Sequence, residues 1–126
     1  MQFGTPPPLR EAELLSSVKN LLSRYKAQNC LSYRRIHTMP VMRGSKTNMF
    51  YSRNTDMRGM EDLQIYLPEG KIIFVELKTE KGKQSEYQKD REAELLALGH
   101  YYYVVRNIGD MIKILESFGV PNLFSF

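Results

Sequence analysis

Cysteine and histidine are scarce in this sequence, which has one cysteine and two histidines among 126 residues. A single cysteine excludes an intrachain disulfide, and these counts together exclude a multi-cysteine structural zinc site. Long apolar runs are also absent, since none approaches the roughly 20 residues that a membrane-spanning helix needs. The opening MQFGTPPPLR lacks the charged-then-apolar order of a signal peptide. We therefore expect a cytoplasmic protein without a membrane anchor.

Hydrophobic residues make up 42% of the sequence and charged residues 25%, which is close to the composition of ordinary globular proteins. A chain of this length can bury a core without disulfides, so we predict a single domain over residues 1–126. Three consecutive prolines make residues 1–8 an extended lead-in. Residues 119–126 form an apolar tail, which either packs on the core or belongs to a subunit interface.

Positive charge is concentrated in one region of the sequence. Residues 34–58 contain six arginines and lysines against one aspartate, an excess of +5, so the rest of the chain carries −1 of the total +4. Tyrosine, phenylalanine, histidine and asparagine side chains are interspersed there. This mixture suits a phosphate backbone and exposed bases, and a solvated basic loop is the alternative interpretation.

The hydrophobic pattern predicts an α/β protein with the order α-β-β-β-α-β-α. A strand followed by a helix and another strand implies a crossover, and hence a mixed sheet with helices on its faces. Within the basic region we expect one short irregular strand near Met49–Ser52 and otherwise a loop. The other predicted elements are a helix over Leu9–Gln28, a strand over Cys30–His37, strands over Asp62–Leu67 and Lys71–Lys78, a helix over Ser85–Leu98, a strand over Tyr101–Arg106 and a helix over Ile108–Phe118.

The segment Pro68-Glu69-Gly70 predicts a tight hairpin between two of these strands. Proline presets the backbone at the first loop position, and Gly70 can take the left-handed conformation that closes a three-residue loop. Leu67 then lies opposite Lys71, so the numbers of paired residues sum to 138.

This register brings two carboxylates and a lysine together. Asp62 faces Glu76 with Cβ atoms about 5 Å apart, and alternation puts Lys78 on the face of Glu76. Two carboxylates this close repel each other, which raises the pKa of one of them unless a cation lies between them. Hard oxygen ligands suit Mg²⁺ or Mn²⁺, and a neighbouring lysine can orient water or stabilise charge on phosphorus. A cross-strand salt bridge of Lys78 with either carboxylate is the alternative.

Several short motifs contain or flank this cluster in the sequence. They are Gly59-Met60-Glu61-Asp62, Glu76-Leu77-Lys78, Ser85-Glu86-Tyr87-Gln88, and Gly99 followed by a Val-Val strand, with Glu11-x-x-Leu14 in the first helix. In this order and spacing they resemble the PD-(D/E)XK nuclease superfamily, and within it the virus-type replication-repair nuclease (VRR-NUC) family. The resemblance covers roughly residues 10–116. It implies a restriction-endonuclease-like core, in which helices flank a mixed central sheet.

The resemblance also implies a phosphodiesterase that depends on Mg²⁺ or Mn²⁺ and uses no organic cofactor. Carried over residue by residue, the implied site consists of the metal ligands Asp62, Glu76 and Leu77 (through its backbone carbonyl), the catalytic lysine Lys78, Gln88 from the second helix and Glu11 from the first.

Three of these assignments have alternatives in the sequence. The family usually has proline before the motif aspartate, where this chain has Glu61, so either Glu61 or Asp62 is the ligand. Alternation favours Asp62, because it places Glu61 on the opposite face of the sheet. Glu13 competes with Glu11, since either favours the positive end of the first helix. Gln88 also completes a capping box at the start of the second helix.

DNA is the partner that the resemblance implies. Small stand-alone members of the family resemble phage enzymes that act as homodimers on branched DNA, including four-way (Holliday) junctions, in the cytoplasm of the bacterial host. Two-fold symmetry suits the paired cuts that such a junction needs. A monomeric nuclease for flaps or linear DNA is one alternative, and a non-catalytic nucleic-acid-binding module on the same fold is another. The candidate DNA contacts are Arg34, Arg35, Arg43, Lys46, Arg53, Arg58, Lys81 and Lys83.

Overall fold

A mixed four-stranded sheet lies at the centre of the fold. The computed structural model describes residues 10–36, 41–43, 50–52 and 57–123. The helices and strands of the described residues are α1 (Glu11–Ala27), β1 (Ser32–Arg35), β2 (Val41–Arg43), β3 (Phe50–Ser52), β4 (Leu63–Tyr66), β5 (Ile72–Leu77), α2 (Glu86–Ala97), β6 (Tyr101–Val105) and α3 (Ile108–Ser117). Strands β1, β4, β5 and β6 form the sheet in that order, while β2 pairs with β3 apart from it. The predicted fold class is confirmed, because the sheet strands and helices follow one another as α-β-β-β-α-β-α.

Helix α1 covers one face of the sheet with an apolar stripe. Its buried side chains recur every three or four residues, which is the spacing that places them on one face of a helix. They are Leu14, Val18, Leu21, Leu22 and Tyr25. The helix ends at Ala27, one residue earlier than predicted, and Asn29 then turns the chain with a φ of 60°.

The β4–β5 hairpin has the predicted register. Leu63 pairs with Val75, and the N–H of Leu67 donates to the carbonyl oxygen of Lys71 at 2.8 Å. Paired residue numbers therefore sum to 138 along this hairpin, as the loop length predicts.

The turn of this hairpin differs in conformation from the prediction. Both Glu69, with a φ of 68°, and Gly70, with a φ of 76°, are left-handed, whereas only Gly70 was expected to be so. A glutamate meets a steric cost in this region that glycine does not. The register is unaffected, because it depends on the number of loop residues.

The two faces of the sheet carry different sets of side chains. The face toward α1 and α3 is apolar, and Val75 and Leu77 of β5 are buried there. On the other face Phe74 packs with Tyr102 of β6 and Leu95 of α2. Because side chains alternate along a strand, Glu76 shares the α2 face with Phe74.

Strand β6 makes the sheet mixed. It pairs in parallel with β5, so that Ile73 lies beside Tyr101 and Leu77 beside Val105. Parallel neighbours need a crossover connection, and α2 lies in that connection. The carboxyl ends of β5 and β6 therefore meet at the same edge of the sheet.

Two short strands in the basic region pair with each other. β3 confirms the strand predicted near Met49–Ser52, whereas β2 lies where the sequence predicts a loop. The pairing is antiparallel, with Val41 opposite Ser52. Three residues are too few to give a periodicity signal, so the sequence could not predict β2. The features predicted for residues 37–40, 44–49 and 53–56 lie outside the described residues.

The start of the C-terminal tail packs on the core. Val120 is buried in the same cluster as α1, and Phe118 meets Tyr101 edge-on with 4.8 Å between ring centroids. Leu123 is 39% exposed, and residues 124–126 lie outside the described part of the chain. Among the described residues, no helix has the length and apolar character needed to cross a membrane.

Gly59 is required where the chain enters β4. A Cβ atom there would lie 2.3 Å from the carbonyl oxygen of Tyr87, and its φ is +75°. We expect Gly59→Ala to lower the free energy of unfolding by about 3 kcal/mol or more, because left-handed strain adds to the clash. Gly70→Ala is the matched control: its φ is +76°, nothing lies within 4 Å, and the expected loss is about 1 kcal/mol. Urea unfolding measures both, and equal losses would contradict this packing.

Candidate active site

Asp62, Glu76 and Lys78 lie near one another at the end of the β4–β5 hairpin, although the regular pairing stops at Leu63 and Val75 and does not include the predicted pair of Asp62 with Glu76. The Oδ2 atom of Asp62 accepts a hydrogen bond from the N–H of Leu77, the residue between the other two, at 2.6 Å. The charge of Asp62 acts on Glu76, and the charge of Lys78 acts on both carboxylates. Among the described residues, none of the ion pairs closer than 4.0 Å involves Lys78. Lys78 therefore forms no direct salt bridge with Asp62 or Glu76, which was the alternative interpretation.

The Asp62 carboxylate lies beside β5 because the regular hydrogen-bond ladder between β4 and β5 ends at this residue. Its N–H donates to the carbonyl oxygen of Val75, and its own carbonyl accepts from the N–H of Ile36, so its backbone is bonded to both neighbouring strands. In a regular ladder the N–H of Leu77 would meet the carbonyl oxygen of residue 61. The Asp62 carboxylate occupies that position instead, which holds one of its oxygens beside β5.

The electrostatic surroundings of Asp62 identify the first-helix glutamate that lies near it. Burial raises the pKa of Asp62, the hydrogen bond from Leu77 opposes this, and the charge of Glu11 raises the pKa further. Glu13 instead pairs with Arg10 at 2.7 Å, with 44% of its side chain exposed. Of the two glutamates that the sequence left open, the structure brings Glu11 to the cluster.

Glu76 is the most deeply buried member of the cluster, with none of its surface exposed. Its Oε2 accepts a hydrogen bond from the Nε2 of Gln84 at 2.8 Å, whereas its Oε1 is buried without a hydrogen-bond partner. Burial is the main reason that the pKa of Glu76 is raised, and the Asp62 charge adds to it. A buried carboxylate with an unpaired oxygen is stabilised by a proton or a cation.

The glutamine beside Glu76 is not the one that the resemblance implies. Gln88 forms the predicted capping box: its Oε1 accepts from the N–H of Ser85 at 2.8 Å, and its own N–H donates to the Ser85 hydroxyl at 3.2 Å. Gln84, in the loop before α2, contacts Glu76 instead. Sequence reasoning missed Gln84, because no local pattern distinguishes a loop glutamine that reaches across to a strand. The role of Gln88 in the site stays a prediction.

Glu61 does not point where alternation predicts. It is buried, and its two oxygens accept from the Nε2 of Gln64 at 3.0 Å and the Nε of Arg91 at 3.1 Å. Arg91 belongs to α2 and lies over Phe74, so Glu61 is on the α2 face and not on the opposite one. The break in the ladder at Asp62 shifts the alternation by one residue. Because Gln64 and Arg91 already satisfy Glu61, the geometry favours Asp62 as the available carboxylate.

The described basic residues have different neighbours, and one of them interacts with the cluster. Arg35 is close enough that its charge lowers the pKa of Asp62, against the raising effect of burial. Arg34 donates to the carbonyl oxygen of Tyr33 at 2.8 Å, and Arg58 donates to the Tyr87 hydroxyl at 2.8 Å. Lys81 and Lys83 are exposed in the loop after β5, while Lys46, Arg53 and the side chain of Arg43 lie outside the described residues.

Arg106 organises the loop that follows Lys78. Its Nη1 donates to the carbonyl oxygens of Thr79 at 2.7 Å, Glu80 at 3.3 Å and Gly82 at 2.8 Å. In the sequence, Arg106 is only the last residue of a predicted strand. Its function depends on the path of a distant loop, which the pattern around residue 106 does not encode.

The donor atoms of the cluster fit a hard divalent cation. Mg²⁺ is commonly held by one or two carboxylates while it keeps several waters, and Asp62 and Glu76 supply two. The unpartnered Oε1 of Glu76 is an acceptor that either a cation or a proton would satisfy. Among the described residues, no three Asp, Glu, His or Cys side chains are close enough to hold a metal alone. Water, a backbone carbonyl or substrate oxygens would therefore complete the coordination.

Comparison with known proteins gives a partial likeness. A protein of Acyrthosiphon pisum secondary endosymbiont phage 1, named "Putative nuclease p44", is 48% identical over 60 residues. The matched part is 48% of this chain and 63% of that protein, so the chain spans less than two thirds of this relative. Neither known family profiles nor solved structures give a match.

Neutralising Glu76 should stabilise the metal-free protein. We expect Glu76→Gln to raise the free energy of unfolding by about 1 kcal/mol near neutral pH, because it removes a buried charge beside Asp62. The pKa of Glu76 is raised in the folded state, so the folded wild type binds a proton before the unfolded chain does as the pH falls. The wild type therefore gains stability on acidification, and the advantage of the variant shrinks.

Urea unfolding in EDTA at about pH 8 and about pH 5 measures this difference. Glu13→Gln is the matched control, because Glu13 is half-buried and pairs with Arg10 instead of the cluster, and it should change stability by less than about 0.5 kcal/mol. A Glu76→Gln variant that is less stable than the wild type at the higher pH would contradict the electrostatic description.

Proposed function

We propose that this chain is a metal-dependent endonuclease that hydrolyses phosphodiester bonds in DNA. The observation that carries the proposal is the convergence of Asp62, Glu76 and Lys78 at one sheet end, with a buried Glu76 oxygen that has no partner. The partial likeness to a phage protein named as a nuclease supports the same reaction class. The α/β fold is consistent with a restriction-endonuclease-like core.

Asp62, Glu76 and the backbone carbonyl of Leu77 would hold Mg²⁺ or Mn²⁺. When bound, the cation would supply the positive charge that polarises the phosphodiester and neutralises the leaving oxygen. The N–H of Leu77 fixes the orientation of Asp62, and Glu11 adds negative charge beside it. This excess of negative charge favours a divalent cation over a monovalent one.

Lys78 would act on the reacting phosphate. It lies beside both carboxylates without forming a close ion pair among the described residues, so its ammonium group is free to contact substrate. A lysine in this position can orient the attacking water and stabilise the negative charge that builds on the phosphoryl oxygens. Gln88 would support the site from the start of α2, as the resemblance to the family implies.

The DNA would approach across the exposed basic residues around this sheet end. Arg35 lies near Asp62, and Lys81 and Lys83 project from the loop that follows Lys78. These cations would contact backbone phosphates, which gives affinity without sequence preference. Arg34, Arg43, Lys46, Arg53 and Arg58 would extend the contact along the DNA.

We further propose that the chain acts as a homodimer on branched DNA, in the manner of a Holliday-junction resolvase. A two-fold dimer presents two equivalent sites, which matches the two opposed strands of a four-way junction. This part of the proposal rests on the likeness to small phage-encoded members of the family, which would act in the cytoplasm of a bacterial host.

A cleavage assay with single-site variants tests the reaction and its residues. Asp62→Ala, Glu76→Ala and Lys78→Ala should each lower the rate of DNA cleavage in Mg²⁺ or Mn²⁺ by about 100-fold or more while DNA binding persists. Glu11→Gln should lower the rate less, and Glu13→Gln should leave it unchanged, because only Glu11 lies beside Asp62. Wild-type cleavage by any of the three alanine variants would remove that residue from the catalytic set.

The same assay with different substrates separates the alternatives. The substrates are a labelled four-way junction, a 5′ flap, a linear duplex and a single strand, each run with Glu76→Ala as a control. Paired symmetric cuts in the junction, by a protein that sizes as a dimer, are expected. Better cutting of flap or linear DNA by a monomer would overturn the resolvase proposal and keep the nuclease. Binding without metal-dependent cutting of any substrate would indicate a non-catalytic binding module.

A further inference from the structure

We infer that Gln84 is a positioning residue for Glu76, and that Arg106 holds the loop that brings Gln84 to it. We call residues 79–84 the Gln84 loop. The inference rests on the proposed metal site and adds two residues to it that neither the sequence pattern nor the family resemblance assigns.

The contact with Gln84 gives the two oxygens of the Glu76 carboxylate different roles. The Nε2 of Gln84 donates to Oε2 at 2.8 Å, which fixes the plane of the carboxylate. Oε1 is left buried without a hydrogen bond, and so is the hydroxyl of Tyr102, which interacts with Glu76. Oε1 is therefore the Glu76 oxygen that would contact a cation. Hydrogen bonds of this kind to a ligating carboxylate orient the ligand that contacts the metal.

The chemical nature of Gln84 suits this task. An amide is neutral, so it orients Glu76 without cancelling the negative charge that attracts the cation. A lysine or arginine at the same distance would compete with the metal for the carboxylate. Tyr102 of β6, which is 5% exposed, also interacts with Glu76 and is likewise uncharged.

Arg106 determines the path of the Gln84 loop. Its Nη1 is within hydrogen-bond distance of three carbonyl oxygens, those of Thr79, Glu80 and Gly82, so the loop is wrapped around one nitrogen. The N–H of Lys78 donates to the carbonyl oxygen of Val105 at 3.0 Å, which continues the β5–β6 pairing up to the start of the loop.

Both ends of the Gln84 loop are therefore fixed. The N–H of Arg106 donates to Oδ2 of Asp110 at 3.1 Å, which ties the arginine to the start of α3. At the other end Ser85 caps α2 immediately after Gln84. Between these two points the chain has little freedom, and Gln84 is directed at Glu76.

The test measures Mn²⁺ affinity directly, without cleavage. Titrations followed by the electron paramagnetic resonance of free Mn²⁺ compare the wild type with Gln84→Met, Arg106→Met and the double variant. We expect Gln84→Met to weaken Mn²⁺ binding by about 10–100-fold, and Arg106→Met to weaken it also. The effects should be less than additive, because Arg106 acts through Gln84.

The controls separate positioning from charge and from folding. Removing a positive charge near a cation site favours cation binding, so weaker binding by Arg106→Met cannot be a charge effect. Lys113→Met, an exposed residue of α3, has the same charge change and should keep wild-type affinity. Thermal unfolding in EDTA checks the fold of each variant. If Gln84→Met does not fold, Gln84→Asn replaces it, since its amide is one methylene too short to reach Oε2.

The outcomes distinguish this inference from the proposed function. A wild type that binds no Mn²⁺ would overturn the metal site itself. A wild type that binds Mn²⁺, with folded Gln84 variants of equal affinity, would overturn only the positioning role of Gln84. Additive losses in the double variant would overturn the link between Arg106 and Gln84.

Discussion

Glu76 carries a carboxylate into the interior of the molecule, and the arrangement of the sheet end depends on how that charge is compensated. Its surface is fully buried, and one oxygen is satisfied by Gln84 while the other has no hydrogen-bond partner. Burial of a charge is costly unless a partner compensates it. Asp62, a second carboxylate, lies beside it and increases the cost. The site is therefore less stable than a neutral one, and the cation that we propose would offset this cost.

The fold holds these charges in place through its backbone. The regular β4–β5 pairing ends at Leu63 and Val75. Just beyond it, the N–H of Asp62 donates to the carbonyl oxygen of Val75 and the N–H of Leu77 fixes the Asp62 carboxylate. Helix α2 is joined to the same region from the other side, where Arg91 binds Glu61 and Gly59 allows the chain to approach Tyr87 closely. One partner of each contact, Val75, Leu77, Tyr87 or Arg91, belongs to β5 or α2. The site is therefore held more rigidly than contacts between two loops would hold it.

The sequence predicts the parts of this site that follow from local rules. The loop length at Pro68–Gly70 determines the register, and strand alternation then places Glu76 and Lys78 at one sheet end. The sequence does not predict what depends on contacts between distant segments. The break in the ladder at Asp62 places Glu61 on the face opposite to the predicted one. Gln84, and not Gln88, contacts Glu76. Arg106 binds a loop that lies about 25 residues away in the chain. Each of these depends on where a side chain meets another element, which no short pattern encodes.

The position of a bound manganese ion tests this account most directly. Crystals grown with Mn²⁺ and measured at the manganese absorption edge locate the ion by its anomalous signal. The account predicts one peak at about 2 Å from Oε1 of Glu76, with Asp62 as a second ligand of the same ion. A peak that lies away from both carboxylates, or no peak at saturating Mn²⁺, would contradict it.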